Sequence, residues 1–176
     1  MKQIYFDLDG VIRDTCREVL GYYPHQWDCY GPDGRPYCQI IEDNLRLLYT
    51  APVTQYHEVI KKLPFVNILT CQPESWRDFT CCWLYEHFEF HQFDVIFVNH
   101  ADEKLKILKP GDVLIEDYPL FSDYSQIALI DYPYNREVKG EIIRIHEPEE
   151  LDAFLIMQRS SIRTQPQDIV LNEVRK

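Results

Sequence analysis

Five short apolar runs, with helix-length stretches between most of them, constrain the fold of this chain more than any other feature. They are IYF near the N-terminus, FVNIL ending just before Thr70, DVIFV, DVLIE and IALI, with EIIRI as a candidate sixth. Runs this short and this apolar suit strands buried on both faces. The intervening segments read as helices. Over residues 74 to 89, Trp76, Phe79, Trp83 and His87 recur at spacings of three and four. A charged helix beginning near Ala101 is stopped by Pro110 and Gly111. The expectation is an α/β protein with a Rossmann-like, mostly parallel sheet covered on both sides. Right-handed crossovers then bring the C-terminal ends of the strands to one edge, where such sheets bind ligands.

One interval breaks the rhythm. About 50 residues separate the first strand from FVNIL, and they open with the aromatic, turn-rich GYYPHQWDCYGPDGRPY. Two helical patterns follow, near Ile40 to Tyr49 and near Thr54 to Lys62. Residues 14–62 are therefore expected to form a small helical cap inserted into a core made of 1–13 and 63–160. Residues 161–176 are expected to be a loosely attached tail.

The strand ends carry chemistry. The first delivers Asp7, with Asp9 two positions on; the second delivers Thr70 and Cys71; the fourth delivers Glu116 and Asp117. Lys104, Lys106 and Lys109 lie just before the fourth strand. A two-residue spacing in extended chain sends Asp7 and Asp9 to one side. Carboxylates that close repel unless a cation sits between them. With Asp117 added, the set is all oxygen, with no His or Cys, which favours Mg²⁺ over zinc. A magnesium ion would also cancel the charge of an incoming phosphate.

Other chemistries find less support. The net charge of −11 argues against a nucleic-acid polymer as partner, because that binding rests on Lys and Arg. No apolar run approaches membrane-spanning length, and MKQIYFDLDG reads as a strand rather than a signal peptide. The six cysteines include no CxxC pair, so reduced thiols in a soluble, cytoplasmic protein are expected. The histidines show no ligand spacing, and no Walker or dinucleotide loop appears.

The segment FDLDGVIRD resembles motif I of the haloacid dehalogenase-like superfamily. Thr70 in NILT is similar to motif II, a lysine to motif III, and LIED to motif IV. The resemblance covers about residues 1 to 150. It implies a phosphatase working through an aspartyl-phosphate, with a C1-type cap between motifs I and II. Asp7 would be the nucleophile, and Asp9 the general acid and then base. Thr70 and neighbouring backbone N–H groups, Cys71 included, would hold phosphate oxygens together with the motif III lysine. For that lysine, Lys106 matches the spacing back from Asp117, while Lys104 is better placed at the start of the helix and is slightly preferred. Lys109 reads as surface. Asp7, the Asp9 carbonyl and Asp117 would bind Mg²⁺, with Glu116 acting through water.

A narrower resemblance joins WRDFTCCWLYEHF, LIEDYPLF and IDYPYNREV to the 5′(3′)-deoxyribonucleotidases. It implies a nucleoside monophosphate, a deoxyribonucleotide first, as substrate. Glu116 stands where that group commonly has Asp. Tyr22, Tyr23, Trp27, Tyr30 and Tyr37 of the insert could stack on a base or form its own small core. Arg13 and Arg77 could reach a phosphate or sugar, with surface pairing the simpler expectation. Tyr134 and Asn135 are expected to shape a loop, with no chemistry assigned. Two other readings stay open. One is a phosphatase for a sugar phosphate, another small phosphomonoester or a nucleic-acid terminal phosphate. The other is a regulatory binding module on the same scaffold. The oligomeric state is left open, a homodimer included.

Overall fold

A computed structural model describes residues 2–121, 125–138 and 142–163. The expected tail therefore lies outside the described residues from 164 onward. Six strands form one parallel sheet: β1 (Ile4–Phe6), β2 (Val66–Cys71), β3 (Phe93–Val98), β4 (Val113–Glu116), β5 (Ile127–Ile130) and β6 (Ile143–Ile145). Their order is β3-β2-β1-β4-β5-β6, and each neighbouring pair is parallel. This is the α/β architecture expected from the alternating apolar runs.

Alternation along the strands splits the core in two. Phe6, Ile68, Ile115, Ala128 and Ile130 face one side. Tyr5, Leu69, Leu114, Ile127 and Leu129 face the other. The first face is covered by α4 (His57–Lys61), α5 (Glu74–His87) and α7 (Pro148–Arg163), through residues such as Val59, Ile60, Trp83, Leu84, Leu151 and Phe154. The second is covered by α6 (Ala101–Ile107), through Ala101 and Leu105. The strand order reverses at β1, which has β2 on one side and β4 on the other. A crevice at such a reversal is where open α/β sheets seat their ligands.

The insert between β1 and β2 contributes α1 (Thr15–Leu20), α2 (Tyr37–Asp43), α3 (Arg46–Thr50) and α4. Asp14 caps α1 by accepting from the Arg17 backbone N–H at 3.1 Å, and Gly21 ends it at φ 78°. Ile41 and Leu48 form a small cluster with Trp76 of α5. The C-terminal part of the insert belongs with the sheet instead, because Tyr56, Val59 and Ile60 join the main core. Three hydrogen bonds fasten the loop after β1 to this part: Asp14 N to Pro52 O at 2.8 Å, Thr54 N to Ile12 O at 2.9 Å, and Thr54 Oγ1 to Val11 O at 2.6 Å.

Two helices, α1 and α7, were not among the expected elements. At six residues, α1 is too short to show a period. The helix α7 does carry a readable signal, since Leu151, Phe154 and Leu155 are buried at spacings of three and four. No helix among the described residues is long and apolar enough to cross a membrane.

Candidate active site

The turn after β1 sets the first carboxylate. Asp7 follows the strand directly and is held in line by its N–H, which donates to Ile115 O of β4 at 2.8 Å. Beyond it the chain folds back sharply. The Leu8 carbonyl accepts from the N–H groups of Val11, Ile12 and Arg13 at 3.3, 2.8 and 2.9 Å. Gly10 lies within that turn at φ 84°. A Cβ there would stand 2.0 Å from Asp117 Oδ2, so only glycine lets the β1 turn approach the end of β4.

Asp7, Glu116 and Asp117 each bring one oxygen within 4.8 Å of the others, and all three residues are buried. Among the described residues a single buried ammonium faces them. Lys104 Nζ lies 2.7 Å from Glu116 Oε2 and 2.9 Å from Asp7 Oδ1. Glu116 Oε1 accepts from the N–H groups of Asp117 and Tyr118 at 3.1 and 3.3 Å, so this side chain is fully engaged. Asp117 Oδ1 is buried without a hydrogen-bond partner, whereas Asp7 Oδ1 is buried with its Lys104 ion pair alone. Three carboxylates against one ammonium leave negative charge in a dry place, which is costly unless a cation supplies the difference. The all-oxygen donor set fits a hard divalent cation, with Asp117 offering an unpartnered oxygen close to Asp7.

The electrostatics agree with that shortage of positive charge. Burial first, then Glu116, push the Asp7 carboxyl well above the usual carboxylate range. Burial and Asp7 push Asp117 up to about 7, against the Tyr134 hydrogen bond. Glu116 is raised by burial, with Lys104 opposing. Burial works against the Lys104 ammonium, but Asp7 and Glu116 outweigh it and hold its pKa above the ordinary lysine value.

The two candidate lysines part company. Lys104 is 3% exposed and sits among the acids. Lys106 points outward and pairs with Asp102 at 2.8 Å, so it does not share the site. Two residues apart on a helix, they point to nearly opposite faces. Cys71 lines the cavity beside the acids. Thr70, one residue earlier in β2, is buried at the same edge without a hydrogen bond to any of the three carboxylates.

The Asp9 carboxylate stands apart from the three-acid cluster. Its Oδ1 accepts from Arg13 Nε at 2.8 Å, and its Oδ2 accepts from Arg13 Nη2 at 3.0 Å and Gln72 Nε2 at 2.6 Å. Thr80 Oγ1 donates in turn to Gln72 Oε1 at 2.8 Å. Arg13 corrects the expectation of surface pairing, since it is wholly buried. It also donates to Leu48 O of α3 at 2.9 Å, and its Cζ lies 5.6 Å from the centroid of the Trp83 ring. Arg77 stays away from the carboxylates, bonding Asn99 Oδ1 at 2.6 Å and lying over Phe97.

Two residues to which sequence reasoning assigned no chemistry serve Asp117. Tyr134 donates its hydroxyl to Asp117 Oδ2 at 2.5 Å, and Asn135 Nδ2 donates to Asp117 O at 3.0 Å. The PYN segment after β5 was visible in the sequence, but nothing in it announces which carboxylate it meets. Trp27 of the insert leans on this support, with its ring 5.4 Å from Tyr134 and 4.9 Å from Tyr118.

A cavity of about 610 Å³ opens above Asp9, Gly10 and Asp117, walled by Trp27, Tyr30, Tyr37 and Trp76. Of the five aromatics singled out in the insert, Tyr22 is exposed, and Tyr23 bonds Asp14 and packs on Tyr132 at 4.7 Å. The other three line the cavity. All six cysteines are free thiols. No family model matches the chain, and no curated protein matches its sequence.

Proposed function

We propose that this chain is a Mg²⁺-dependent phosphomonoester hydrolase that uses Asp7 as nucleophile, with nucleoside 5′-monophosphates, deoxyribonucleotides first, as substrates, acting in the cytoplasm. The observation that carries the reading is the convergence of Asp7, Glu116, Asp117 and Lys104 at one sheet edge, with Asp117 Oδ1 left unpartnered among them.

Asp7 attacks phosphorus, and the bond from phosphorus to the leaving oxygen breaks as that oxygen takes a proton from Asp9. The leaving alcohol departs. Water then attacks the aspartyl-phosphate while Asp9 takes its proton back, releasing phosphate and restoring the Asp7 carboxylate. Arg13 and Gln72 fix Asp9 for both transfers. Lys104, Thr70 and the Cys71 N–H hold the non-bridging oxygens. Asp7 and Asp117, supported by Glu116, would hold Mg²⁺, which would supply positive charge to the phosphoryl oxygens. Trp27 and Tyr30 offer ring faces to a base.

The test is phosphate release from a panel of nucleoside monophosphates and sugar phosphates, with Mg²⁺ or with chelator, beside Asp7→Asn. Nucleotides should lead, chelator should stop release, and Asp7→Asn should lose at least ~10³-fold, because no other group can attack. Equal turnover of sugar phosphates would overturn the nucleotide assignment. No release from any ester would overturn the enzyme reading and leave a binding module.

A further inference from the structure

The cavity above the acids has a one-sided charge. Among the described residues no Lys, Arg or His lines it, whereas Asp28 and Glu42 stand on its wall away from the catalytic floor. Glu42 Oε1 accepts from Trp76 Nε1 at 2.7 Å and from Ser75 Oγ at 3.1 Å, so the carboxylate is fixed against the aromatic wall. Asp28 is exposed beside Trp27. The floor holds an independent sign that a ligand belongs there, since Asp117 is 2% exposed, lines the cavity and has an unpartnered Oδ1.

We infer that this cavity selects phosphomonoesters whose leaving group is flat and carries no negative charge, and that Asp28 and Glu42 are the residues that reject a second anion. The inference rests on the phosphatase reading and narrows it. Lys104, the only buried ammonium at the site among the described residues, is already shared between Asp7 and Glu116. A second phosphate in the upper cavity would find no cation there and two carboxylates. A neutral base meets the opposite situation. Trp27, Tyr30 and Trp76 line it with aromatic surface, and the carboxylate oxygens of Asp28 and Glu42 can accept from exocyclic amino groups. Discrimination of this kind works by repulsion of the wrong substrate as much as by attraction of the right one.

The experiment uses the full chain carrying Asp7→Asn, with Mg²⁺. It is titrated with a nucleoside 5′-monophosphate and with the matching nucleoside 3′,5′-bisphosphate, and quenching of Trp27 and Trp76 fluorescence is followed. The monophosphate should bind at least ~10-fold tighter, the scale of one added like-charge contact near a protein surface. Adding Asp28→Asn and Glu42→Gln should shrink that ratio at least ~threefold. Equal affinities in the parent, or a ratio that the added changes leave alone, would overturn the inference. Phosphate release by the wild-type chain is measured in parallel. Release from both esters at equal affinity sinks the cavity rule alone, and a binding preference without any release sinks the hydrolase reading alone.

Discussion

The Arg13 guanidinium grips both oxygens of Asp9, at 2.8 and 3.0 Å, from a position with no solvent exposure. Because the same side chain donates to Leu48 O, the placement of Asp9 depends on where α3 sits. Arg13→Lys keeps the charge but loses the fork that matches two oxygens. We predict a fall in kcat of about 10- to 100-fold with a smaller change in KM, since the loss falls on proton transfer. Arg13→Ala should in addition cost about 3 kcal/mol of stability, read by urea denaturation, as expected when one partner of a buried pair is removed. Unchanged kcat in the lysine variant would remove Arg13 from the mechanism.

Gly10 offers a separate test of the metal site. In Gly10→Ala the new methyl meets Asp117 Oδ2 at 2.0 Å, at a φ that L-residues avoid. The turn has to move away from β4 and take Asp7 with it. Calorimetric Mg²⁺ binding should weaken by at least ~10-fold, the scale seen when support of a ligand is lost. Wild-type affinity in this variant would mean that Asp7 and Asp117 do not share an ion.

The lysines give a paired comparison. Lys104→Met leaves Glu116 buried without its partner and withdraws the ammonium from Asp7. We predict a loss of about 10² to 10³ in kcat/KM, the size associated with removing one charge-stabilising donor. Lys106→Met breaks only an exposed pair with Asp102 and should leave kcat/KM within about twofold. A larger effect from Lys106 than from Lys104 would reverse the assignment.

Acidity should couple stability to the cation. Asp7, Glu116 and Asp117 all have carboxyl pKa values raised in the folded chain, Asp117 to about 7. An acid whose pKa is higher when folded binds more protons folded than unfolded. Its contribution is therefore intact below the ordinary carboxylate range and is lost as pH climbs toward about 7. The metal-free protein should melt at lower temperature at pH 8 than at pH 5. Mg²⁺ at about 100 times its Kd should raise Tm by about 5 to 10 °C at pH 8, and by much less at pH 5, where protons compete. A Tm indifferent to Mg²⁺ at both values would count against the site.

Much of the architecture could be read from the strands, because a run such as IALI, buried at every position, has few other places to go. Asp7, Glu116 and Asp117 were legible for the same reason, since strand order alone assigns their edge. Lys104 and Lys106 could not be separated so simply. They sit two residues apart on a helix whose rotation relative to β2 the sequence does not state. Arg13 was misjudged because an arginine next to an aspartate usually pairs in water. Its burial comes from Trp83 and Leu48, contributed by distant segments. Tyr134 was given a loop and no chemistry because its partner, Asp117, lies across β5 and a turn. Short helices such as α1 leave no period to detect, whereas α7 was readable and went unread.

The middle position of β1 in the sheet has a consequence for synthesis. Of the six described strands β1 is made before the others, and its second neighbour, β4, is made more than a hundred residues later. Until then one edge of β1 is bare and Asp7 waits without Asp117. A nascent chain halted before Tyr134 would hold Asp7 and Asp117 but not the two side chains that bond Asp117. The acid cluster therefore gains its last supports only once the PYN turn has been made.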